Sequence, residues 1–133
     1  MDVKQVIVVR RDLNMRKGKM CAQVAHASSA WLRSRHKTSV PKHSPAYTDY
    51  TVTLEPHELK WMQTDYRKIV VWVRTEQELR DLHAVALEYC ENVEYQIDNG
   101  ATEFHGERTL TCLAIGPDLS PNVDIVTGSL PLL

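Results

Sequence analysis

No stretch of this chain approaches the ~20 consecutive apolar residues that a membrane span requires, so no membrane partner is expected. Cysteine is scarce and unpatterned, with Cys21, Cys90 and Cys112 in no C-x-x-C pair. An odd, scattered set is neither a disulfide framework nor a zinc site, and it fits a reducing, cytoplasmic setting. No signal-peptide apolar core precedes the strand-like VIVV that begins at residue 6. Gly18 and Lys19 lack the upstream glycine and the following Ser or Thr of a Walker loop. There is no G-x-S-x-G, no two histidines lie four apart, and Cys21 and His26 fall on different faces of any helix containing both. These absences remove nucleotide hydrolysis, a metal centre and a serine or thiol nucleophile. What remains is direct attack by water, with no metal or other cofactor.

Acidic residues are also nearly missing from one end. Residues 1–43 hold 10 Lys and Arg against 2 Asp and Glu, and residues 44–133 hold 6 against 15, so a net charge of −1 conceals halves of +8 and −9. Such a split is read as a basic face with a polyanionic partner, against the plainer reading of a surface that segregates charge by chance.

At 133 residues the chain has the size of one domain, taken as 1–133. VIVVR, 6–10, is a short β-branched run of the kind a strand buried on both faces shows. Asp12, Asn14 and Gly18 mark a turn, and from Lys19 the apolar residues Met20, Val24, Ala27 and Trp31 recur at helical spacing until about His36. Residues 37–54 carry Pro41 and Pro45 and no period, and are read as a surface connection or insertion. Pro56 opens a short helix with Leu59 and Met62 on one side, and KIVVWV, 68–73, is a second buried strand. Thr75 and Glu78 cap a helix whose stripe is Leu79, Leu82, Ala86 and Tyr89. VEYQI, 93–97, ends at Asp98; TLTCLAI, 109–115, is stopped by Gly116 and Pro117; Ser120 and Pro121 open a last helix that Gly128 closes. This alternation predicts an α/β sandwich with a largely parallel sheet and right-handed crossovers.

In such sheets ligands bind beyond the carboxyl ends of the strands, which singles out the Arg10 to Lys19 turn and the Asp98 to Thr102 loop. Lys17, Gly18 and Lys19 stand in front of the first helix, where unpaired N–H groups and the helix dipole already attract anions. Cations there are locally unfavourable, which favours a functional reading over a solvated turn. Lys19, Gln23 and His26 share a second, polar face of that helix, although for His26 taken alone an ordinary solvent face is the favoured reading.

Three segments, QVIVVRRDLNMRKGKMCAQVAHAS, QIDNGATEF and TCLAIGPDLSPNVDIVTGSLPLL, resemble in order the signature regions of the type II peptidyl-tRNA hydrolase family. In order they span the chain from Gln5 to Leu133, and 35–66 has no part in the resemblance. The resemblance implies a three-layer α/β/α sandwich around a four-stranded mixed, mostly parallel sheet. It also implies a homodimer and metal-free hydrolysis of the ester that joins a peptide to tRNA. Carried over by position, it implies catalytic roles for Lys19, Asp98 and Thr102 and substrate contacts for Gln23 and His26. Arg16, Lys17, Gly18, Arg33 and Arg35 are the residues expected to meet tRNA phosphates. Asp98 would orient or deprotonate water, Thr102 would fix the water or the carboxylate, and Lys19 would hold an oxyanion or a phosphate. Asp98 as a turn-forming residue before Asn99 and Gly100, and Thr102 as a plain loop hydroxyl, are the simpler readings. The family commonly has glycine where Arg16 stands and alanine where Asn99 stands. The alternative function is therefore a tRNA-binding or adaptor module of the same fold that has lost turnover.

Overall fold

The structure is a computed structural model that describes residues 1–35, 51–101 and 103–133. Its elements, in order, are β1 Val3–Arg10, a 3-10 turn Arg11–Leu13, α1 Lys17–Arg35, α2 Pro56–Gln63, β2 Lys68–Val73, α3 Glu76–Tyr89, β3 Val93–Asp98, β4 Thr109–Leu119 and α4 Ser120–Thr127. The expected connection at 37–54 lies outside the described residues up to position 50.

The four strands form one mixed sheet in the order β2-β1-β4-β3. Only β1 and β2 pair in parallel, with Val6 opposite Ile69 and Arg10 opposite Val73. β4 runs antiparallel to both β1 and β3, which corrects the expectation of a mostly parallel sheet. A parallel neighbour needs a long crossover, whereas β3 reaches β4 through a short loop without a helix, and such strands pair antiparallel. Because β4 is the one reversed strand, β1, β2 and β3 still point the same way and end on one edge of the sheet.

β1 is buried on both faces, as its β-branched run requires. Val6 and Val8 face α3 and α4 through Leu79, Ala86, Val123 and Val126. Ile7 and Val9 face α1 through Ala27, Met20 and Val24. The alternation of side chains along one strand thus builds both cores, and the three-layer arrangement follows from it.

Two elements depart from their sequence reading. β4 does not stop at Gly116 but continues to Leu119. Gly116 adopts φ 95 and the pairing with β1 shifts between Lys4 and Val6, so glycine and proline sit in an irregularity where a strand tolerates them. A Cβ at Gly116 would lie 2.5 Å from the Lys4 carbonyl oxygen.

The second is α2, which buries a face other than the one that carries its apolar pair Leu59 and Met62. Leu59 and Met62 are exposed, while Glu58 and Trp61 are completely buried. Trp61 meets Trp31 of α1 edge-on at 6.2 Å. Glu58 can be buried because every demand of its carboxylate is met. Arg35 donates to it at 2.5 and 2.6 Å, Asn92 at 2.7 Å and the Glu55 amide at 2.6 Å. Burial drives the Glu58 carboxyl upward, but the bonds from Arg35, Asn92 and Glu55 outweigh it and the net shift is downward.

Removing Arg35 leaves that buried charge without its counter-ion. Arg35→Ala should therefore destabilise the fold by about 3 kcal/mol, and Arg33→Ala, on the exposed face of α1, by less than about 0.5 kcal/mol. Urea unfolding of the two variants decides it, since equal midpoints would make Arg35 an ordinary surface residue. A carboxyl held low when folded contributes stability above its unfolded pKa and loses it as pH falls through the folded value. The Arg35-dependent difference should accordingly vanish in acid.

Candidate active site

The carboxyl edge of the sheet collects both segments singled out in the sequence. β1 leaves the sheet at Arg10, whose guanidinium is held by Asp12 at 2.8 Å, Glu76 at 3.2 Å and the Leu110 carbonyl at 3.0 Å. Asn14, at φ 50, turns the chain back toward the sheet. α1 then begins at Lys17, two residues before the expected start, so Lys17, Gly18 and Lys19 form its first turn and do not precede it. That turn contains no acidic residue. Helical spacing among apolar residues cannot register a first turn that has none of them.

Asp98, the last residue of β3, is 8% exposed and fully engaged. Its Oδ1 accepts from Lys19 Nζ at 2.7 Å and from Gln23 Nε2 at 3.0 Å. Its Oδ2 accepts from the Gly100 amide at 2.8 Å. The hydrogen bond from Lys19 holds the Asp98 carboxyl below the ordinary carboxylate range; burial opposes this, and the Gly100 amide, the Lys19 charge and Gln23 reinforce it. Gly100 has φ 81, and a Cβ there would lie 2.2 Å from the Glu107 carbonyl oxygen, so only glycine lets the loop close beneath Asp98.

Sequence reasoning missed Thr111. The β3–β4 register slips between Gln96 and Ile97, leaving Thr111 as the extra residue. Its hydroxyl donates to Gln23 Oε1 at 2.7 Å and lies 3.1 Å from the Gln96 carbonyl. Gln23 is 2% exposed, so its amide is locked between Thr111 and Asp98. A hydroxyl inside the otherwise apolar β4 run was the available signal.

The polar face of α1 divides. Lys19 and Gln23 turn to Asp98, while His26 lies exposed farther along the helix. Lys17, Gly18 and Arg33 are exposed as well, and Arg16 is 3.5 Å from Glu103. Arg35, expected at phosphates, holds Glu58. Thr102 lies outside the described residues. Asn99 accepts from the Ala101 amide at 3.0 Å and takes no part in the carboxylate's bonding. The Lys19–Asp98 contact is thus closed with both Arg16 and Asn99 in place.

Among the cysteines, Cys90 and Cys112 are buried and their thiols are pushed up to about 12, which keeps them protonated and unreactive. Cys21 is exposed. No described helix is long and apolar enough to cross a membrane, and no group of three or more His, Cys, Asp or Glu among the described residues could hold a metal. A cleft of about 480 Å³ opens between Arg10, Glu103, Phe104 and Thr109. Lys19 Nζ lies 5.6 Å from the Phe104 ring centroid. The site therefore joins an ionised carboxylate, an ammonium and a helix N-terminus at the margin of an open cleft. That set can orient a water molecule and stabilise an oxyanion.

The family model described as peptidyl-tRNA hydrolase PTH2 matches residues 3–133. The peptidyl-tRNA hydrolase of Methanopyrus kandleri is 38% identical over 131 residues, covering 98% of this chain and 97% of its own. That of Methanocaldococcus jannaschii is 35% identical over 132 residues, covering 98% and 100%. Among solved structures, a protein of unknown function from Agrobacterium tumefaciens aligns over 100% of this chain and 98% of its own, with a TM-score of 0.56 and 15% identity, a likeness of fold.

Proposed function

The chain belongs to the peptidyl-tRNA hydrolase PTH2 family, and we propose that it hydrolyses the ester between peptide and tRNA with Asp98 and Lys19 as its central pair. The observation that carries this reading is the closed set of Lys19, Gln23 and the Gly100 amide around one ionised carboxylate. A carboxylate held that low is a weak base but a strong acceptor, so Asp98 acts by fixing the attacking water and the position of Lys19. Lys19, at the positive end of the α1 dipole, faces the oxyanion that forms as water adds to the ester carbonyl. Gln23 and Thr111 are positioning residues, because they reach the reaction only through Asp98. Thr102 follows Asp98 by four residues in the sequence, and its hydroxyl is proposed to hold the same water. His26 is proposed as a substrate contact farther along α1.

The direct test is incubation of the purified protein with an N-acetylated aminoacyl-tRNA and with the matching free aminoacyl-tRNA. Release of the N-acetylated amino acid is expected. Binding of both without release from either would instead select the adaptor reading.

tRNA contacts, in this proposal, Arg16, Lys17, Gly18 and Arg33, all of which are exposed. Neutralising Arg16, Lys17 or Arg33 should weaken binding to different tRNAs alike and flatten the dependence of log K on log salt by ~0.7 to 0.9 for each phosphate no longer neutralised. Unchanged slopes would reduce the basic half to a solvated surface. A homodimeric assembly, which rests on the family resemblance, and a cytoplasmic setting, which rests on the scattered cysteines, belong to the same proposal.

A further inference from the structure

A second cluster stands on the same sheet edge, outside the site described above. Trp72 of β2 lies opposite Val9 and two residues from Val70, both of which belong to the core beneath α1, so its indole is on the α1 face of the sheet. Arg11 Cζ is 4.7 Å and Arg74 Cζ 5.4 Å from the Trp72 ring centroid. Both arginines are exposed and Trp72 is half-buried. With Asp12 they line a cleft of about 370 Å³, within the range of ligand clefts. Asp12 is already bound by Arg10 at 2.8 and 3.2 Å, and neither Arg11 nor Arg74 has a carboxylate partner among the described residues. Two uncompensated guanidinium groups fixed on an aromatic ring are a poor arrangement for stability and a good one for an anionic, aromatic ligand.

β2 and β3 are separated by β1 and β4, so three strand spacings, about 14 Å, divide this cleft from Asp98 along a common edge. The first turn of α1, with Lys17, follows the 3-10 turn that carries Arg11. Resting on the hydrolase reading above, we infer that Trp72, Arg11 and Arg74 form a subsite for the unpaired 3′ segment of the tRNA, whose terminal ribose bears the ester. One nucleobase of that segment stacks on the indole and guanidinium planes, and the neighbouring phosphate pairs with Arg11 and Arg74. The separation suits this occupant. A nucleotide a few positions before the ester-bearing ribose reaches the cleft while the ester lies at Lys19 and Asp98.

The test uses Trp72→Leu and the double variant Arg11→Gln/Arg74→Gln, with filter binding of intact tRNA and of tRNA trimmed of its unpaired 3′ nucleotides. Trp72→Leu should weaken intact tRNA roughly 5- to 100-fold, the scale of one base–aromatic stack, and leave trimmed tRNA unchanged. The double variant lies on exposed side chains and covers the case in which Trp72→Leu fails to fold. It should likewise weaken only intact tRNA and lower its salt slope by ~0.7 for each phosphate left unpaired. Trp31 and Trp61 are 2% and 0% exposed, so quenching of tryptophan fluorescence by a single-stranded RNA tetranucleotide should report on Trp72 and disappear in Trp72→Leu. Equal affinity of wild type and both variants for intact tRNA overturns the subsite, as does an equal loss on trimmed tRNA. An effect confined to the arginines reduces it to charge alone and overturns the stacking. Failure of the wild type to release an N-acetylated amino acid would strike the hydrolase reading, while these binding comparisons would still be legible.

Discussion

Asp98→Asn is expected to slow single-turnover cleavage by roughly 10² or more, the scale of a lost acid–base or water-orienting group, while tRNA binding holds or tightens. Each oxygen of Asp98 accepts from a donor, Lys19 and Gln23 on one side and the Gly100 amide on the other. An asparagine must turn its own N–H groups toward one of those donors, and it lacks the charge that anchors Lys19. Binding does not suffer, because a carboxylate near phosphates repels them. The depressed pKa sets the pH behaviour. Wild-type rates that depend on ionised Asp98 persist as pH falls through the usual carboxylate range and drop only below it, and this acid limb should be missing from Asp98→Asn. Single-turnover rates and filter binding on the same preparation check both halves. Wild-type cleavage by Asp98→Asn would move the chemistry to Lys19 and the helix terminus alone.

Lys19→Ala should lose on both counts. Removing one donor to a developing oxyanion lowers the rate by roughly 10²- to 10³-fold, and removing a charge from the first turn of α1 weakens tRNA binding and its salt dependence. Because the hydrogen bond from Lys19 is the largest influence lowering the Asp98 pKa, the residual activity of Lys19→Ala should show its acid limb at higher pH than the wild type. Both affinity and kcat fall in this variant, whereas Asp98→Asn loses kcat without losing affinity. A Lys19→Ala variant with normal tRNA affinity and an unmoved acid limb would separate the two residues and break the proposed pair.

The elements that sequence pattern located are those whose signal is local. The β-branched run of β1, the helical stripe through Ala27 and Trp31, and the Thr75 cap of α3, which accepts from the Glu78 amide at 3.0 Å, all stand where spacing put them. The errors share one cause, which is that a distant partner reversed a local preference. Glu58 is buried in place of Leu59 and Met62 because Arg35 and Asn92, from other elements, satisfy it. β4 passes through Gly116 and Pro117 because the two stand together opposite the single β1 residue Gln5, as a bulge in β4. Thr111 shows in the sequence only as a hydroxyl inside an apolar run, and its place in the site depends on a register slip between two strands.

By itself, then, the sequence determined the α/β class, the basic first half and the placement of Lys19 and Gln23 on one face of one helix. Backbone geometry fixes those periods within a few residues. Tertiary structure alone decided that the carboxylate facing that pair is Asp98, 79 residues from Lys19, and that Trp72 shares its edge. The physical reason is the insertion of β4 between β1 and β3. It leaves three strand ends pointing one way, and it follows from loop length and the packing of two cores, neither of which any local period encodes.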